Sequence, residues 1–239
     1  MSPERDGEGS AAIPAATVVL IRDGSAPGGA TELEVLMLHR ASKVAFGGMW
    51  VFPGGRVDDG DRSPDDPADP EQAVEAAAQR AAAREAMEEC GLVVDPTGIE
   101  ALSQWTPPAV TPRRYATWFF LARVPPGDVV VDGGEILDHL WLAPAEVLAR
   151  RDRGEIDLAP PTWVTLHDLA GSADVEEALA MARSRRPVPH YETRWREVDH
   201  GAVAMWDGDA GYETSDPEVA GPRHRLWMLS TGWRLERGR

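Results

Sequence analysis

An α/β fold is predicted by three features of the sequence. Short, β-branched apolar runs stand at Ala15–Arg22 and Glu32–Arg40, an alanine-rich stretch at Glu71–Glu89 has high helix propensity throughout, and further strand-like runs follow it. A chain of 239 residues with 43% hydrophobic content can bury a substantial core, and we read it as one domain with additions. A disordered leader is expected at 1–12, a main domain at 13–155 with an insertion at 58–70, and an extension at 156–239.

Taken in order, Ala15–Arg22 (AATVVLIR) has the character of a buried strand, and Glu32–Arg40 (ELEVLMLHR) pairs with it as a hairpin across a Gly/Pro-containing turn at Asp23–Gly29. Met49–Phe52 is a short apolar piece ended by Pro53, Gly54 and Gly55. Proline removes a donor there, and two glycines permit close backbone approach. Asp58–Pro70, rich in Asp and Pro, reads as an exposed, irregular insertion. The helix at Glu71–Glu89 has acidic residues in its first turn and Gly91 as its stop. Tyr115–Val124 and Ile136–Leu142 read as strands, and Pro144–Arg153 as a short helix. Thr162–Leu169 and Val175–Arg183 look helical, Pro187–Pro189 breaks the chain, and Ala202–Trp206 with His224–Leu229 reads as a terminal hairpin.

Charge and cysteine usage exclude several classes. A net charge of -16 argues against a diffuse basic surface for nucleic acid or anionic membrane. A phosphate-bearing substrate must then be met locally, by a metal or a few arginines. Lys43 is the sole lysine, so nearly all positive charge is guanidinium. Cys90 is the only cysteine, which rules out an intramolecular disulfide and a cysteine metal cage. With no signal-like or membrane-spanning run, a cytoplasmic location is expected.

Chemistry concentrates at the end of the long helix. Glu85, Glu88 and Glu89 fall at i, i+3 and i+4 and project from one face, where like charges in a last turn oppose the helix dipole. A hard divalent cation, Mg²⁺ or Mn²⁺, would compensate them, and Arg84 could orient a neighbouring carboxylate. The plainer alternative is a charged, solvent-facing helix end. The upstream FPGG loop and an apolar stripe of Val74, Ala77, Ala81 and Met87 favour the functional reading.

Residues Arg84 to Leu92 (REAMEECGL) resemble the second half of the Nudix box, R-E-U-x-E-E-x-G-U with U aliphatic. The first half departs from the pattern, with Ala76 where a glutamate is specified. The insertion before the helix is similar to that of the branch that includes peroxisomal coenzyme A diphosphatases, as are VFPGGRVDDGD and TPRRYATWFFLA. A further coenzyme A signature is not matched: Ala45 and Met49 stand at its counted positions. The resemblance covers roughly Ala15 to Arg153 and implies an α/β/α sandwich around a mixed sheet. It also implies metal ligation by Glu85, Glu88 and Glu89, with the Gly55 carbonyl and Glu135 as further ligands and Arg84 as the orienting cation.

The reaction so implied is attack of water on one phosphorus of a diphosphate, with Glu88, Glu89 and Glu135 all open as the base. Arg40, Arg56, Arg113 and Arg114 are candidate phosphate contacts, each weighed against a surface ion pair. Trp50, Trp105 and Trp118 could stack on a nucleobase or belong to the core. His139, His167 and Cys90 read as structural. Trp195, Trp206, Trp227 and Trp233 require the extension to pack on the main domain or on a second subunit, covering the active site or forming a homodimer contact. The expected substrate is a small nucleoside diphosphate derivative: coenzyme A or acyl-CoA, with ADP-ribose, NADH or a nucleoside triphosphate as alternatives. A non-catalytic nucleotide sensor is the competing class, and the clustered carboxylates favour hydrolysis.

Overall fold

The computed structural model describes residues 12–25, 28–41, 47–109, 111 and 113–238. Residues 1–11 of the expected leader, and Lys43, lie outside them. Strand β1 (Ile13–Ser25) and strand β2 (Thr31–Arg40) form the expected antiparallel hairpin, from Ile21 opposite Val35 to Ser25 opposite Thr31. The N-terminal half of β1 pairs instead with β4 (Gly54–Arg56), after the short β3 (Trp50–Val51) that pairs with β2. β5 (Glu100–Thr106), β6 (Tyr115–Arg123), β7 (Ile136–Leu142) and β8 (His190–Glu192) complete an eight-stranded sheet. Its longest path runs β3-β2-β1-β6-β5-β8, and it is mixed, because β1 with β6 and β5 with β8 run parallel.

Alternation along β1 explains the layers. Ala16, Val18 and Leu20 face one cluster with helix α1 (Pro70–Cys90), while Val19 and Ile21 face the other. That second cluster holds α2 (Pro144–Asp152), α3 (Pro160–Leu169) and α4 (Val175–Ser184), giving an α/β/α sandwich.

Helix α1 begins where Asp69 accepts the amides of Glu71 and Gln72, both at 3.0 Å, with Pro70 in the first turn. It stops at Gly91, whose φ of 73° is left-handed and whose N–H donates to the Met87 carbonyl. The expected apolar stripe needs correction at both ends, since Val74 and Met87 are exposed. The buried face is Ala77, Ala78, Ala81, Ala82, Ala86, Glu89 and Cys90. Small side chains let the helix lie close to the sheet, so the packing face carries few large residues.

The segment at 58–70 is also more ordered than expected. A 3-10 turn at Asp59–Asp61 buries the Asp61 side chain, and Arg80 of α1 donates to the Asp61 carbonyl at 2.6 Å and to Asp66 at 2.5 Å.

The expected terminal hairpin is the inner pair of a four-stranded antiparallel sheet: β9 (Arg194–Val198), β10 (Gly201–Met205), β11 (Arg223–Leu229) and β12 (Gly232–Gly238), ordered β12-β11-β10-β9. It packs with Trp105, Phe119 and Trp163 in the cluster on the face opposite α1. The extension therefore does not cover the α1 carboxylates. Trp206 is fully buried, meeting Trp105 edge-on at 5.5 Å, and Trp233 packs on Trp163; Trp195 stays exposed. Among the described residues no helix is long and apolar enough to cross a membrane.

Candidate active site

The glycine loop is set by β1. The Thr17 hydroxyl donates to the Pro53 carbonyl at 2.6 Å and the Val18 amide to the same oxygen at 2.9 Å. This fixes Gly54, whose N–H donates to Glu89 Oε2 at 2.9 Å. Both glycines are required by close approach. A Cβ on Gly54 would collide with the Ala16 carbonyl and Thr17, and one on Gly55 would collide with the Glu85 carboxylate. The last turn of α1 thus lies against bare backbone.

Opposite the loop, β2 points Leu36 and Leu38 into the α1-side cluster, and two residues on Arg40 emerges from the same face. Its guanidinium lies 3.4 Å from Glu89 Oε1 and 2.7 Å from Glu135 Oε2, and its Nε is buried with no partner among the described residues. Glu135 is presented by a turn in which the Asp132 carboxylate accepts the amides of Glu135 and Ile136 at 2.9 and 2.8 Å. Arg40, expected to meet phosphate, is engaged with these two carboxylates.

Glu89 is 4% exposed, and burial pushes its pKa up to about 7 against the Gly54 amide and Arg40, with Glu85 and Glu135 adding repulsion. Burial raises Glu85 as well, opposed by Arg84 and reinforced by Glu88 and Glu135. Negative charge therefore exceeds what the two arginines offset.

Every donor of Arg84 is engaged. Nε and Nη2 clamp the Asp61 carboxylate, both at 3.1 Å, Nη2 also reaches the Arg56 carbonyl at 2.9 Å, and Nη1 is shared between Glu85 at 2.8 Å and Glu88 at 3.1 Å. Hydrogen bonding to Asp61 is the largest of the effects that hold its charge.

The other expected contacts are dispersed. Arg56 contributes its backbone carbonyl to Arg84 and exposes its side chain beside the loop. Arg113 and Arg114 precede β6, and Arg114 Nε donates to the Pro107 carbonyl at 3.2 Å. Trp105 is core, stacked 4.1 Å from Tyr191. Trp118 stacks on Phe120, whereas Trp50 stacks on His39 at the rim of a shallow cavity of about 400 Å³ that Leu140, Ile156 and Asp157 also line. Cys90 is buried, its thiol pushed up to about 11 by burial, consistent with a structural role.

The donors fit a hard divalent cation. They are all carboxylate oxygens, their proton affinity is raised by burial and mutual repulsion, and a glycine stands where any side chain would displace Glu85. Among the described residues no three such groups converge at metal-binding distance; Arg84 pairs with Glu85 and Glu88, and Arg40 with Glu89 and Glu135.

The NUDIX domain model matches residues 12–191, three quarters of the chain and the whole of this arrangement. The chain belongs to the NUDIX family. It is a hydrolase of pyrophosphate bonds in a family acting on nucleoside diphosphate derivatives and generally requiring divalent cations. No curated protein sequence matches it. A NUDIX hydrolase from Alicyclobacillus acidocaldarius is similar at 24% identity, with 71% of this chain and 96% of that one covered and a TM-score of 0.60, which shows the shared fold. The NUDIX domain of Shewanella oneidensis NrtR complexed with ADP ribose is 21% identical over 72% of this chain and 88% of that one, with a TM-score of 0.44.

One residue of this NUDIX site escaped the sequence. Asp61 stands among Asp58, Asp59, Asp65 and Asp66, yet it alone follows Gly55 by the five-residue spacing at which the family pattern specifies a glutamate, and counting back from Arg84 across the insertion hides it. Its burial against Arg84 marks the same residue in the structure.

Proposed function

We propose that this NUDIX hydrolase cleaves the diphosphate linkage of a nucleoside diphosphate derivative at the cluster of Glu85, Glu88, Glu89 and Glu135. What supports this is one grouping: Glu85 and Glu89 packed against the Gly54–Gly55 backbone and Glu88 beside them on the same helix, with Arg84 and Arg40 paired to the carboxylates. These glutamates, with the Gly55 carbonyl, would hold Mg²⁺ or Mn²⁺. Bound there, the cation would neutralise phosphate oxygens and lower the pKa of water.

The protein's own groups do the rest. Gly54 and Arg40 hold Glu89 in place, and Arg84 holds Glu85 and Glu88. Water forms the new oxygen–phosphorus bond as the bridging bond breaks, and a carboxylate takes its proton. Glu88 and Glu135 are each more than half exposed and each tied to arginine through one oxygen, which leaves the other oxygen open to water. Arg56, Arg113 and Arg114 supply guanidinium to the outer phosphates, and Trp50 offers an aromatic face to a base.

The resemblance puts coenzyme A first among substrates. The test is phosphate-bond hydrolysis by chelator-treated protein, with Mg²⁺ and then Mn²⁺ restored, across coenzyme A, ADP-ribose, NADH and the nucleoside triphosphates. Cation-dependent turnover of one of them is expected. No turnover of any, with nucleotide binding intact, would replace this reading with that of a sensor.

A further inference from the structure

We infer that the outer edge of β12 is the contact through which two copies of this chain associate, their four-stranded sheets joining antiparallel about a twofold axis at Leu235. The partner is a second copy, and the recognising chemistry is the strand's own order of charges.

β12 pairs with β11 along all of Gly232–Gly238 without a register shift, and its other edge carries no strand among the described residues. A regular open edge presents backbone groups that a second strand can take up. In a twofold antiparallel pair, residues opposite each other share a face of the sheet, so the axis falls on a residue. About Leu235, Arg234 of each copy stands opposite Glu236 of the other, Trp233 opposite Arg237, and Leu235 opposite itself. The Arg234 side chain is 67% exposed and lies 2.8 Å from Glu236 of its own strand. Association therefore closes two such pairs into one alternating network of four charges. Trp233 and Leu235 already pack against the core, and pairing extends that apolar row across the axis.

The remaining edges do not fit. β3, β4 and β8 have only two or three residues each. On β7 the amide of His139 is already taken by the Asp138 carboxylate at 2.8 Å. On β9 every axis opposes like charges. One at Arg194, Arg196 or Glu197 sets a charge against itself, one at Trp195 sets Arg194 against Arg196, and one at Val198 sets Glu197 against Asp199.

The experiment is sedimentation equilibrium of the full-length protein over a concentration series, and wild type should show a monomer–dimer equilibrium. Arg234→Glu and Glu236→Arg each set like charges across the axis and should each raise the dimer dissociation constant at least about 10-fold, less so at high salt. The double exchange, Arg234→Glu with Glu236→Arg, restores complementarity and should return the constant to within about threefold of wild type. Melting curves report whether each variant is folded. Should a charge variant not fold, cross-linking decides: Leu235→Cys sets two thiols opposite each other at the axis and should yield a covalent dimer under mild oxidant, whereas Arg196→Cys on β9 should not. Cys90, being buried, leaves wild type as the control. A wild type that stays monomeric at every concentration, folded single reversals that leave the dimer undiminished, a folded double variant that does not recover, or no cross-link at residue 235 overturns the inference.

Discussion

The Glu85 carboxylate occupies the space that a Cβ on Gly55 would need, so any side chain at that position has to displace it. The neighbouring Gly54 is hemmed in differently, by the backbone of Ala16 and by Thr17. Adjacent glycines therefore serve the site and the fold separately.

Gly55→Ala should fold with a melting temperature near wild type, because a flexible carboxylate can swing away, and should lose about 10- to 100-fold in activity and in apparent cation affinity. Gly54→Ala meets fixed backbone and should lose about 1–3 kcal/mol of stability. Denaturant midpoints together with cation-dependent rates distinguish the two. Equal stability losses for both variants would contradict the division.

The elevated pKa of Glu89 sets a pH dependence in the cation-free protein. Raised from 4.5 to about 7, the carboxyl keeps its proton in the folded state at pH values where the unfolded chain has released it. Its contribution is most favourable below about 4.5 and is lost as pH rises through 7, a change on the order of 3 kcal/mol. Glu89→Gln should therefore be at least as stable as wild type at pH 8 with chelator present, and the difference should shrink toward pH 5. Urea midpoints across that range check it, and a constant deficit at both ends would refute it.

Arg84→Ala should lower the rate about 10- to 100-fold. Arg84→Lys should not restore it, since an ammonium offers three donors where the site matches five. The comparison is of kcat at saturating cation and substrate. Recovery with lysine would mean that charge alone suffices.

The C-terminal sheet is part of the main core. Trp206→Ala should cost about 3–5 kcal/mol, and a chain ending at Arg186 should fail to fold, because it loses β8 from the main sheet as well as the Trp105–Tyr191–Trp206 stack. Circular dichroism and melting report both. A folded, active truncation would contradict this.

Much of the arrangement was legible where local rules act alone. Asp69, Pro70 and Gly91 delimit α1 close to the expected bounds, and the i, i+3, i+4 spacing brings Glu85, Glu88 and Glu89 to one face. Other features depend on distant packing. β5 was missed because EALSQWT shows no clean alternation, and its pairing with β6 shifts register between Ala101 and Ser103. The α1 face was misjudged because alanines occupy every side of the helix. β9 and β12 keep much of their surface exposed and carry little apolar signal. Arg40 acquires its role only when β2 converges on α1, whereas Asp61, which follows Gly55 after five intervening residues, is hidden in the sequence by the insertion that separates it from Arg84.

The most direct test compares wild type with Glu89→Gln, at saturating Mg²⁺ or Mn²⁺, on whichever diphosphate compound the wild type turns over, with products resolved by phosphorus NMR. The account predicts cleavage between the two phosphates by wild type and loss of turnover in a variant that remains folded. Undiminished cleavage by Glu89→Gln would contradict a catalytic centre at the end of α1.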